Sequence, residues 1–127
     1  MSVRRRSRRG ILTLMLLAGC AGGGGPGRIA PPRAAVLEVT NRNWETMHVY
    51  VIAHGQRYSM GQVGSQQKQT FELGAKFFVT ETNLVFVADP IGSVVAYVSD
   101  PVLVVPGDRV EWRIENNLAL SSIFISR

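Results

Sequence analysis

Three side chains in this sequence carry chemistry by type alone: one thiol, Cys20, and two imidazoles, His48 and His54. The histidines are six residues apart, so an uninterrupted strand puts both on one face but about 20 Å from each other. That spacing cannot close around one metal ion without a bend, and no second thiol is present to help, so no metal site is expected. Asp89, Asp100 and Asp108 each stand beside a proline or glycine at a turn, which accounts for them without a calcium loop. Ser65 and Ser93 follow glycines, but neither lies in a nucleophile elbow with a base nearby. An acid–base pair would have to be assembled from distant groups such as Glu81, Asp89 or His48. The residues therefore specify no catalytic set and no cofactor, and the chain is expected not to be an enzyme. The remaining reactive group is Cys20, and its neighbours say what becomes of it.

Residues Met1 to Gly10 contain five arginines and no acid, and Ile11 to Ala18 is almost wholly apolar. A basic segment, a short apolar run and small residues at its end are the parts of an export signal. About eleven helical residues reach only roughly 16 Å, too little to span a membrane permanently. Within this frame, Leu17-Ala18-Gly19-Cys20 resembles the lipobox of bacterial lipoproteins. The resemblance implies that Cys20 receives a diacylglycerol, that residues 1–19 are removed, and that the new terminal amine is acylated. Two or more chains anchor a protein stably, whereas one gives marginal binding. Ser7-Arg8-Arg9-Gly10-Ile11-Leu12 also resembles the twin-arginine export motif, leaving two export routes open. Ala21 is not the aspartate that marks inner-membrane retention in many two-membrane bacteria, so the resemblance implies the outer membrane, facing the periplasm, where there is one.

The charge balance changes once the signal is set aside. The whole chain is +5, but five of its 14 basic residues precede Cys20 and the remaining nine balance the nine acids. No basic stripe is left to collect phosphates, so nucleic acid is not an expected partner. A single cysteine also excludes an internal disulfide framework, and stability must come from a packed core. Residues 20–34 are dense in glycine and proline and read as a flexible tether, on the order of 20 Å in root-mean-square span.

Residues 35–127 alternate with period two in short bursts separated by turn residues. Expected strands are Val36 to Thr40, Met47 to Ala53, Gln56 to Val63, Lys68 to Leu73, Asn83 to Ala88, Ser93 to Val98, Val102 to Val105, Arg109 to Glu115 and Leu118 to Ser126. Gly74 to Thr82 reads either as a short strand or as a loop packing on the core. In Arg109 to Glu115 the apolar Val110, Trp112 and Ile114 face one way and four charges the other. The expectation is one all-β domain: an antiparallel β-sandwich of about eight or nine strands, with a small barrel as the alternative. Val104 to Trp112 resembles the strand-turn-strand of cupredoxins, but blue copper needs a thiolate with two histidines, and the sole cysteine lies in the export signal.

Of the aromatic residues Trp44, Tyr50, Tyr58, Tyr97 and Trp112, Trp112 falls on an apolar strand face and belongs in the core. Trp44 sits in the polar loop Asn41 to Glu45 and is the candidate ligand contact. The last strand is a candidate for pairing with a partner if it lies at a sheet edge. The combined expectation is a membrane-anchored, non-enzymatic β-sandwich that acts as a binding or structural module of the cell envelope. The alternative is an accessory subunit or inhibitor docking on an envelope enzyme or secretion complex.

Overall fold

Nine strands form two sheets in the computed structural model, which describes residues 34–79 and 83–127. They are β1 (Ala35–Asn41), β2 (Met47–Ala53), β3 (Gln56–Val63), β4 (Lys68–Leu73), β5 (Asn83–Pro90), β6 (Tyr97–Val98), β7 (Val102–Leu103), β8 (Arg109–Ile114) and β9 (Ser122–Ser126). One sheet has the order β4-β1-β8-β9, and the other β3-β2-β5-β6 with β7 also pairing to β5. The sheets keep separate edges and do not close into a barrel, so the sandwich is the architecture and the barrel alternative is set aside. The strands belong to a compact unit over Pro31–Arg127; the other unit, Met1–Ala30, lies outside the described residues.

The core forms because alternate residues on facing strands are apolar. Leu37, Val39, Leu73, Val110, Trp112 and Ile114 of the first sheet meet Met47, Val49, Val51, Val63, Leu84 and Phe86 of the second, all buried. Each such side chain contributes roughly 1.5–3 kcal/mol by leaving water.

Local signals set the strand limits. The β2–β3 turn is His54-Gly55 with φ of 52° and 73°, two positive values that give the hairpin turn whose twist matches its strands. In β3 the register with β2 slips by one residue at Met60, a β-bulge next to Gly61. Gly61 has φ 143°, and a Cβ there would lie 3.2 Å from Phe71 Cε1. The bulge therefore both needs a glycine and seats the Phe71 ring.

The mostly antiparallel sandwich is as expected, and three details differ. First, the sandwich is not wholly antiparallel: β1 and β8 run parallel, Val39 opposite Trp112. The two are separated by the whole second sheet in sequence, so no hairpin forces them to oppose. Second, no strand covers Ser93 to Ala96. The register Ala88↔Tyr97 would set Val95 opposite Pro90, which has no N–H to give, and Val94 and Val95 stay exposed. Third, Leu118–Leu120 is a 3-10 turn and not strand, and only Ser122 onward pairs with β8. In the ambiguous segment, Ala75–Phe77 is a 3-10 turn that packs on the core through Phe77, edge-on to Tyr58 at 5.1 Å.

Candidate functional site

Trp44 stands out at one end of the sandwich, 75 % exposed on a loop whose other members are fastened from beneath. The fastening is done by Asn41 and Asn43, both buried. Asn41 Oδ1 accepts the Asn43 N–H at 2.9 Å, and Asn43 Oδ1 accepts the Glu45 N–H at 2.9 Å, two consecutive turns closed by side-chain amides. Asn41 Nδ2 donates to the carbonyls of Glu45, Val63 and Gly64 at 2.8, 3.1 and 3.1 Å. Asn43 Nδ2 donates to those of Glu115 and Asn116 at 3.1 and 3.2 Å. From the β3–β4 turn, Ser65 Oγ donates to the Asn43 carbonyl at 2.9 Å and Gln66 Nε2 to that of Arg42 at 2.8 Å. Three loops are thus tied to one another through two asparagines, and Arg42 and Trp44 are the residues of this loop left exposed, Trp44 as its large apolar one.

A cleft of about 420 Å³ lies beside the indole, lined by Trp44, Glu45, Pro90, Ser93, Val95 and Leu118 among others. Its walls are partly apolar, and Ile91, Val94 and Leu120 are also exposed on loops at this end. The Glu45 carboxylate makes no hydrogen bond or ion pair among the described residues, so it is open to a ligand. An exposed aromatic side chain beside a partly apolar cleft with a few polar groups is a feature of ligand sites.

The other aromatic residues are engaged elsewhere. Tyr97 turns inward, tilted against Trp112 at 6.0 Å, where burial first and the nearby Asp100 second raise its pKa. Tyr58 covers Phe77. Tyr50 lies on the outer face of the second sheet, stacked on His48 at 4.3 Å and capped by the Arg57 guanidinium at 3.8 Å.

That outer face holds a constellation which sequence reasoning missed. His48 Nε2 lies 2.8 Å from Ser59 Oγ, and Tyr50 Oη lies 3.1 Å from His48 Nδ1. A serine on one imidazole nitrogen and an orienting group on the other is the geometry of an activated nucleophile. Asp89 is the cross-strand partner of His48 yet makes no ion pair with it among the described residues. The signal lay in the β2–β3 hairpin: counting back from the His54-Gly55 turn sets Ser59 opposite Tyr50, and His48, two residues along the same face, reaches Ser59 diagonally, while the bulge at Met60 lies beyond this pair and sets Gln62 opposite His48. The three groups share the outer face of the hairpin with the Arg57 guanidinium.

On the outer face of the first sheet Glu38, nearly buried, is held between Lys68 Nζ at 2.7 Å and Arg109 Nη2. The hydrogen bond from Lys68 lowers the Glu38 pKa most; burial opposes it, and the charge of Arg109 adds to the lowering. Asp108 Oδ2 accepts the Val105 N–H at 3.0 Å, a turn role as expected. Among the described residues no three of His, Cys, Asp and Glu converge. His54 sits in its turn, far along β2 from His48. Cys20 with Leu17, Ala18 and Gly19, and Glu81, lie outside the described residues.

No family model and no curated protein matches this chain. Among solved structures it is similar to a protein from Eubacterium rectale determined by NMR, at 14 % identity and a TM-score of 0.48, over 83 % of this chain and 96 % of that one.

Proposed function

We propose that the chain is a lipid-anchored bacterial envelope protein whose β-sandwich is a non-enzymatic binding or structural module. The observation that carries this reading is the position of the only cysteine, at the end of a short apolar run that follows five arginines. The geometry of the sandwich supports it. The chain enters at Ala35 and reaches the Trp44 loop at the far end of β1, roughly 20 Å away by strand rise. The exposed Trp44 and its cleft thus lie at the end of the sandwich opposite Ala35, open to a binding partner. A second reading, docking on an envelope enzyme or secretion complex, is favoured by the exposed Ile91, Val94 and Val95 at that same end.

Membrane fractionation of cells producing the full chain tests the anchor. The protein is expected in the membrane fraction, and Cys20→Ala is expected to release it from high-salt-washed membranes or to leave it unprocessed. An unchanged distribution and unchanged processing in Cys20→Ala would refute lipid anchoring.

A further inference from the structure

The outermost strand of a sheet offers unpaired N–H and C=O groups, and proteins blunt such edges with charge, bulges or brevity. Here β4 carries Lys68 and Glu72, β3 carries Arg57 and the Gly61 bulge, and β6 and β7 are two residues each. The edge at β9 has none of these defences. Its five residues, Ser122-Ile123-Phe124-Ile125-Ser126, include no charge, proline or glycine and read the same in both directions. Phe124 is 59 % exposed on the outer face, while Ile123 and Ile125 pack partly against the core.

We propose that β9 pairs antiparallel with β9 of a second copy of this chain, about a two-fold axis passing at Phe124. That register sets Phe124 against its own counterpart, Ser122 against Ser126 and Ile123 against Ile125. Both the strand's alternation and its sequence symmetry are then satisfied residue for residue, which an unrelated strand would not do. The interface is isologous, the commonest kind in homodimers, and joins the two four-stranded sheets into one of eight. The surrounding charges allow it. Arg109, Glu111 and Arg113 sit one strand back, opposite Ser126, Phe124 and Ser122. Like charges of the two copies are therefore three strand spacings apart, about 14 Å, beyond the screening length at physiological salt.

Cysteine cross-linking of the full-length chain tests the register, with the parent protein and its Cys20 as baseline. Mixing Ser122→Cys with Ser126→Cys chains is expected to give a covalent dimer well above baseline, because directly opposed strand residues lie within disulfide reach. Either variant alone is expected to stay at baseline. Phe124→Lys, with unchanged far-ultraviolet circular dichroism, is expected to raise the dimer dissociation constant by at least about tenfold in sedimentation equilibrium. A monomeric parent, or single variants that cross-link as well as the mixture, would overturn the proposal.

Discussion

Asn41 Oδ1 accepts the backbone N–H of Asn43 at 2.9 Å, and each of the two amides then reaches a different loop. This pair joins the end of β1 to the β3–β4 turn and to the β8–β9 connection. Removing one member strands several carbonyls at once. Asn43→Ala is expected to lower stability by about 1–3 kcal/mol, the cost of buried polar groups left unpaired. Urea unfolding followed by circular dichroism measures this, and a change below about 0.5 kcal/mol, the scatter of ordinary surface substitutions, would count against the clasp.

Trp44 contributes to the surface and not to the fold. Trp44→Ala is expected to leave the unfolding free energy within about 0.5 kcal/mol of the parent in urea unfolding, as for an exposed side chain. A large loss of stability would show that the indole has a packing role.

Trp112 is buried, and its Nε1 has no hydrogen-bond partner among the described residues. The ring contributes apolar burial against Phe86 and Tyr97 while its N–H carries an unrecovered desolvation cost. Trp112→Phe is therefore expected to cost clearly less than Trp112→Ala, for which about 3–5 kcal/mol is usual. Equal losses in thermal unfolding would show that the N–H is satisfied.

Glu38 links stability to pH with a definite sign. Its folded pKa is lowered from 4.5, chiefly by the Lys68 hydrogen bond, so its contribution is present above that value and lost as pH falls through the lower folded one. Comparing the parent with Glu38→Gln across acid titration should show a stability difference near neutrality that shrinks below about pH 4.5. A difference that grows on acidification would contradict the assignment.

Two glycines should respond oppositely to alanine. Gly61→Ala meets a positive φ and the Phe71 ring and is expected to destabilise by about 1–3 kcal/mol. Gly74→Ala, with φ −71° and nothing within 4 Å, is expected to be neutral or slightly stabilising. Denaturant midpoints for the two variants check the contrast.

Much of the fold is written in local pattern. Met47 to Ala53 and Lys68 to Leu73 alternate and end at turn residues, Gln56 to Val63 alternates as far as its bulge, and β2, β3 and β4 have those limits. The burial of Val110, Trp112 and Ile114 follows from the same alternation. Pairing between distant strands has no such local trace, which is why parallel β1–β8 was not legible. Nor does alternation register what a neighbour can donate: Val94 and Val95 look like strand, but Pro90 denies them a ladder. At the candidate site the exposed Trp44 was legible from its polar loop. The Asn41-Arg42-Asn43 doublet is visible as turn chemistry, but its acceptors at Val63, Gly64, Glu115 and Asn116 are known only once the loops meet.

The central claim, a sandwich tethered through acylated Cys20, is tested most directly by the intact mass of the amino-terminal peptide of the protein isolated from its own host. The account predicts that this peptide begins at Cys20 and carries diacylglycerol, usually with a further acyl group on its amine. A peptide that begins elsewhere, or an unmodified Cys20, would contradict it.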